Sequence, residues 1–260
     1  MESILVIIPV LNEEATITGV IKSLQSYGLK KIRVVDNGST DGSVQKAKAA
    51  GAEVILEPTP GYGQACWRGL QQLPPEIDWI LFCDGDGSDE LSKLPQFFAN
   101  KDNFDLILGN RRATSAGRAA MTPVQNFGNW LATFLIRWGW GYGYCDLGPL
   151  RLIRRRCLEQ IQMQDRGFGW TVEMQARAVE CRLRICEIPV GYRFRQGGRS
   201  KISGTVSGSI KAGTVILSTI FSLYLRRLRA DGETGRWGDG EMGRWGDGEN
   251  NLYIMCLGVP

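Results

Sequence analysis

Ile4-Leu5-Val6-Ile7-Ile8-Pro9-Val10-Leu11-Asn12-Glu13-Glu14 starts with five consecutive apolar side chains and breaks into polar residues within the same stretch. A run without alternation suits a parallel strand covered on both faces. From about Glu13 to Ser26 the apolar residues Ile17, Val20, Ile21 and Leu24 fall on one helix face. The unit then repeats. Ile32–Val35 reads as a second strand ending at Asp36, Val44–Ala50 as a helix, Glu53–Leu56 as a third strand and Tyr62–Gln72 as a helix. Trp79–Cys83 and Leu106–Leu108 follow as strands four and five. Repeated βα units predict an α/β fold, a mostly parallel sheet with helices on both sides. Ligands of such sheets sit at the carboxyl ends of the strands.

Further along, helices are expected over Val124–Arg137, Trp170–Val179 and Val206–Arg229, with a strand around Ile185–Phe194. After residue 229 the composition shifts. Gly-Arg-Trp-Gly-Asp-Gly-Glu occurs at 235–241 and again at 243–249, so residues 1–229 are read as one domain and 230–260 as a disordered low-complexity tail.

The chain has 260 residues, 43% hydrophobic and 22% charged, with a net charge of +4. That balance supports a sizeable core and gives no dense basic face for nucleic acid. The seven cysteines form no CxxC pair and read as reduced thiols of a cytoplasmic protein. No secretory signal is expected, because the first apolar run is too short. Histidine is absent, which excludes Ser-His-Asp, Cys-His and HExxH chemistry. No apolar run reaches the roughly 20 residues of a spanning helix.

What remains is oxygen chemistry. Asp36, Asp84 and Asp86 all follow strands. Asp84-Gly85-Asp86 places two carboxylates one residue apart at a strand tip, a donor set for Mg²⁺ or Mn²⁺ that leaves positions open for substrate phosphates. An Asp-rich turn is the plainer alternative, but the position after a fourth βα strand favours metal. Asn12 suits a helix cap, with Glu13 and Glu14 at the positive helix start. Gly61-Tyr62-Gly63 opens a helix whose bare N–H groups could face a phosphate. Arg193, Arg195, Arg199 and Lys201 are interleaved with Gly197 and Gly198, as in a loop that closes over phosphate oxygens.

Taken together and in order, four stretches resemble family 2 glycosyltransferases of GT-A fold: Val6-Ile-Ile-Pro-Val-Leu-Asn-Glu-Glu, Val35-Asp-Asn-Gly-Ser-Thr-Asp-Gly-Ser, Gly61-Tyr-Gly-Gln-Ala and Cys83-Asp-Gly-Asp. Gly109-Asn-Arg, Asp146-Leu-Gly-Pro-Leu-Arg, Gly169-Trp-Thr-Val-Glu and Arg195-Gln-Gly-Gly-Arg-Ser-Lys resemble the dolichyl- or polyprenyl-phosphate mannose and glucose synthase branch. The resemblance spans roughly residues 3 to 226. It implies an inverting hexosyl transfer from a UDP- or GDP-hexose donor to a lipid phosphate, with Mg²⁺ or Mn²⁺ as cofactor.

The resemblance also implies roles. Pro9, Leu11, Glu13 and Asp36 would line the donor pocket, Asp84 would lie near the nucleotide or metal, and Asp86 would be the main metal ligand. Arg111 would face the acceptor phosphate; Arg195, Ser200 and Lys201 would hold phosphates. Glu173 stands where relatives that use a hydroxyl acceptor carry the general base. The branch often has Gln two residues after the metal Asp, where this chain has Ser88. A second phosphate-binding arginine has no match in Met121-Thr-Pro-Val-Gln-Asn. Two alternatives stay open: a hydroxyl acceptor with Glu173 as base, and a non-catalytic protein that binds nucleotide sugar or membrane. For Val206–Arg229 and Trp130–Trp140, core packing is expected ahead of membrane contact. The expected location is the cytoplasm, with peripheral contact at the cytoplasmic membrane face.

Overall fold

The computed structural model describes residues 3–192 and 206–233, without the side chains of 206–212 and 230–233. In chain order the elements are β1 (Ser3–Val10), α1 (Ile17–Ser26), β2 (Lys31–Asp36), α2 (Ser43–Ala49), β3 (Glu53–Leu56), α3 (Tyr62–Gly69), β4 (Ile77–Phe82), α4 (Leu94–Ala99), β5 (Leu106–Asn110), α5 (Ser115–Ala120), α6 (Pro123–Trp140), β6 (Arg151–Arg154), α7 (Arg155–Ile161), α8 (Trp170–Glu180), β7 (Ile185–Pro189) and α9 (Val206–Glu233).

The strands form one sheet in the order β3-β2-β1-β4-β6-β5-β7. β1 pairs parallel with β2 and β4, and β5 parallel with β7. Only β6 runs antiparallel, between β4 and β5. Alternation along β1 divides the core into two layers. Leu5 and Ile7 join one apolar cluster with Ala65 of α3, Ile136 of α6, Met174 of α8 and Ile220 of α9. Val6, Ile8 and Val10 face the other, with Ile17, Ile21 and Leu24 of α1 and Phe97 of α4. Both faces are thus buried, which is why this strand reads as an unbroken apolar run. α3 presses close to the sheet: a Cβ on Gly69 would meet Ile7 Cγ2 at 2.6 Å.

The expected α/β architecture is present. β6 was not foreseen, nor were α4, α5 and α7. The helix expected to end at Arg229 continues to Glu233, four residues into the stretch read as tail; residues 234–260 lie outside the described part. Among the described residues the cysteines are free thiols, and no helix is long and apolar enough to cross a membrane.

Candidate active site

The carboxyl ends of the parallel strands β2 and β4, on either side of β1, carry Asp36 and the pair Asp84 and Asp86 on one edge of the sheet. Asp36 closes β2 and is buried. Its Oδ2 accepts the N–H groups of Gly38 at 3.3 Å and Ser39 at 3.2 Å. Its Oδ1 is buried without a hydrogen-bond partner, an arrangement that costs free energy unless a ligand supplies a donor. Pro9 sits beside Val35 in the β1–β2 ladder, and half-buried Leu11 follows β1. Glu13 is buried, with its N–H donated to Ser43 Oγ at 2.7 Å.

Asn12 does not cap a helix, as its type had suggested. Its φ is 54°, and it joins two loops: its N–H reaches Ser39 Oγ at 2.8 Å and its Oδ1 takes the Thr40 N–H at 2.7 Å. α1 starts later, at Ile17, so neither Glu13 nor Glu14 lies in its first turn. Glu14 instead accepts the Gly42 N–H at 3.0 Å and pairs with Lys46 at 3.2 Å.

The acidic turn follows β4. Gly85 permits its close fold against β1, since a Cβ there would lie 3.0 Å from Val10 Cγ2. Asp86 is only 3% exposed. Ser88, the residue that departs from the branch pattern, fixes it: the Ser88 N–H and Oγ both donate to Asp86 Oδ1, at 2.9 and 2.6 Å. Asp84 Oδ1 accepts the Tyr62 hydroxyl at 3.4 Å, and the Asp84 N–H donates to Asp89 Oδ2 at 2.9 Å. Burial, assisted by the nearby Asp86 charge, pushes the Asp89 carboxyl up to about 7. Among the described residues there is no group of three or more acids or cysteines placed to cage a metal. The turn fits a hard divalent ion held by one or two carboxylates and completed by diphosphate and water.

Arg111 follows β5. Its Nε and Nη2 form a two-point pair with Asp146, both at 2.8 Å, and its backbone N–H adds a third bond at 2.8 Å. The guanidinium lies over the Tyr192 ring, 4.9 Å from its centre. Burial opposes its charge, but Asp146 outweighs it and the pKa rises. Contact with a phosphate would use the remaining Nη1 edge or displace Asp146. Asp146 in turn is held by Glu187, which accepts the N–H groups of Cys145 and Asp146 at 3.1 and 3.2 Å. Desolvation pushes Glu187 up to about 7.

Beside Asn110 lies a cavity of about 460 Å³ lined by Arg112, Arg118, Arg137, Trp130, Phe134 and Cys145, among others. These three arginines were missed in the sequence. The signal was present, because no Asp or Glu occurs between Asp105 and Asp146.

At the Gly61-Tyr62-Gly63 turn, the N–H groups of both glycines are taken up by the protein itself. Gly61 donates to Asn37 Oδ1 at 2.8 Å, Gly63 to Gly167 O at 3.0 Å and Gln64 to Arg166 O at 2.7 Å. The glycines serve that close approach: a Cβ on Gly61 would meet Arg166 O at 2.5 Å. Glu173, in the first turn of α8 and 2% exposed, accepts the N–H groups of Gln164 and Asp165 at 2.9 and 2.7 Å through Oε2. It braces the 163–167 loop. Asp165 then receives the Thr219 hydroxyl at 3.0 Å, which ties the loop to α9.

The family model described as Glycosyl transferase family 2 matches residues 5–162. The chain belongs to glycosyl transferase family 2.

An uncharacterized glycosyltransferase of Mycobacterium tuberculosis is 34% identical over 212 residues, 81% of this chain and 94% of that protein. The undecaprenyl-phosphate mannosyltransferase of Micrococcus luteus is 27% identical over 217 residues, 79% of this chain and 89% of that protein. The crystal structure of glucosyl-3-phosphoglycerate synthase from M. tuberculosis with Mn²⁺, UDP and glucosyl-3-phosphoglycerate superposes with a TM-score of 0.69 at 23% identity, covering 85% of this chain and 80% of that one. That likeness establishes the GT-A-type fold. The protein is therefore a glycosyltransferase enzyme. Three of the transferase's expected phosphate contacts, Arg195, Ser200 and Lys201, lie outside the described residues.

Proposed function

We propose that this transferase moves a hexose from a nucleotide-diphosphate sugar to a polyprenyl-type lipid phosphate, with inversion at the anomeric carbon, as a peripheral protein of the cytoplasmic membrane face. One contrast carries the reading. The only carboxylate offered by the sequence as a base, Glu173, already has an oxygen committed to two backbone N–H groups. Three arginines and three aromatic rings, Trp130, Phe134 and Tyr144, meanwhile surround a cavity next to the end of β5. A phosphate acceptor is largely ionised near neutrality and needs positioning more than deprotonation. Arginine forks suit its oxygens, and aromatic faces suit the first isoprene units. The similarity to the M. luteus undecaprenyl-phosphate mannosyltransferase points the same way.

On the donor side, Asp36 would take a hydrogen bond from the nucleoside through Oδ1, with Pro9, Leu11 and Glu13 shaping the pocket. Asp86 and Asp84 would hold Mg²⁺ or Mn²⁺, which supplies positive charge beside the leaving diphosphate. Manganese with UDP in the glucosyl-3-phosphoglycerate synthase crystals supports that cofactor and a uridine donor. Arg195, Ser200 and Lys201 are assigned to phosphate oxygens, and Arg111 to the acceptor side through its remaining edge. An acceptor phosphate oxygen bonds to the anomeric carbon as the bond to the donor diphosphate breaks. Orientation and charge stabilisation supply most of the rate.

The test is release of nucleotide diphosphate from UDP- and GDP-hexoses with Mn²⁺, with polyprenyl phosphate or 3-phosphoglycerate as acceptor. Turnover should require the polyprenyl phosphate, and Glu173→Gln should retain activity within about tenfold, because the amide oxygen can still accept a loop N–H. Turnover on the hydroxyl acceptor alone, abolished by Glu173→Gln in a folded protein, would replace this reading with base catalysis.

A further inference from the structure

Phe127, Trp130, Phe134 and Trp138 of α6 are 61%, 48%, 51% and 69% exposed. Their spacing makes one stripe along the helix. The rings rest on one another, Phe127 on Trp130 at 5.9 Å and Trp130 on Phe134 at 5.7 Å. α6 already buries a different face, formed by Asn129, Ala132, Thr133, Ile136 and Trp140. Core packing therefore accounts for that face and leaves the aromatic stripe outside. α9 packs beside α6, with Tyr224 against Trp138 at 5.5 Å and Trp140 at 6.3 Å. It adds its own row of exposed Leu217, Phe221 and Leu225. Exposed apolar groups scattered singly are normal on a protein surface, but contiguous rows on neighbouring helices mark an interaction surface.

Charge identifies the occupant. No acidic residue occurs between Asp105 and Asp146, nor between Glu187 and Asp231, so α6 and the first 25 residues of α9 carry positive charge only. Arg137 lies on the exposed side of α6, and Arg226 and Arg229 are exposed near the end of α9. Aromatic rings settle at the headgroup level of a bilayer, and arginines meet anionic lipid phosphates there. A second copy of the chain is a poor match, since it would set arginines against arginines. Trp130 and Phe134 belong both to the stripe and to the wall of the arginine cavity, so that cavity opens beside the stripe.

We propose that the exposed faces of α6 and α9 form a docking surface for an anionic bilayer, which seats the transferase so that a lipid phosphate reaches Arg112, Arg118 and Arg137 from within the headgroup layer. This rests on the acceptor reading above and extends it to the way the enzyme meets its substrate.

The experiment is co-sedimentation of the full chain with phosphatidylcholine vesicles, with and without phosphatidylglycerol. The comparison variant combines Phe127→Gln, Trp138→Gln and Phe221→Gln, none of which lines the arginine cavity. Binding should require phosphatidylglycerol, weaken with salt, and fall at least ~tenfold in the variant. Turnover of a water-soluble short-chain prenyl phosphate and the circular dichroism spectrum should be unchanged. No binding by the parent chain, or equal binding by a folded variant, would overturn the docking surface. So would a concentration-dependent dimer that the variant abolishes. If the variant loses vesicle binding but no prenyl phosphate is ever glycosylated, the docking surface stands and the acceptor assignment fails.

Discussion

Asp86 carries the proposed metal-binding role at the scale of a single residue. Its carboxylate is buried and held on one side by two donors from Ser88, so it needs no reordering when a cation and diphosphate arrive. Removing its charge without changing its size should be costly. Asp86→Asn is expected to lower Mn²⁺-dependent turnover by roughly 10²- to 10³-fold, with the thermal unfolding midpoint little changed, as measured by nucleotide release and a melt. Ser88→Ala should show a smaller loss, mostly as a higher metal requirement, because it loosens the aspartate without removing it. The sequence made Asp36, Asp84 and Asp86 visible, since an acid immediately after an apolar run is a local pattern. It could not show what Asp146, Glu187 and Glu173 hold. Their partners lie 35, 42 and 9 residues away, and the pairs exist only after the sheet has formed.

At the scale of elements, the donor side is held by the contact of the α3 start with the 163–167 loop. A Cβ on Gly63 would lie 2.8 Å from Arg166 C and 2.9 Å from Gly167 O, both backbone atoms that cannot rotate aside. Gly63→Ala should therefore destabilise the fold by about 1–3 kcal/mol, read as a lower urea midpoint at unchanged slope. Thr219→Val keeps shape but removes the hydroxyl from Asp165, and should cost about 1 kcal/mol in the same measurement. Glycine pairs announce a turn but not its neighbour, so the sequence at Gly61-Tyr62-Gly63 does not reveal that the glycine N–H groups meet Asn37 and Gly167. The βα series was legible because each element carries its own periodicity. β6 was not. Four residues, Arg151-Leu-Ile-Arg, are too few to show a period, and their pairing partners on β4 lie 69 to 75 positions upstream.

For the whole molecule, pH is the readable variable. Glu187 and Asp89 rise to about 7 from ordinary values of 4.5 and 3.8, chiefly by desolvation. Between those limits the folded chain holds more protons than the unfolded one, so stability falls as pH rises through that window and levels off above it. Glu14, Asp41 and Asp105 are shifted downward, and their contribution is lost only as pH drops below the ordinary carboxylate range. The unfolding free energy from urea melts in metal-free buffer should be larger at pH 5.5 than at pH 8, by on the order of 1–3 kcal/mol. Glu187→Gln should flatten part of that slope. The seven-strand order has a second outcome, which concerns synthesis. β5 leaves the ribosome well before β6, yet β6 lies between β4 and β5 in the finished sheet. A nascent chain stopped near residue 150 can assemble β3-β2-β1-β4 but leaves Trp79–Phe82 as an open apolar edge, with β5 stranded. Such a stalled chain should be a strong client of ribosome-associated chaperones, released only when Arg151–Arg154 arrives to close the gap.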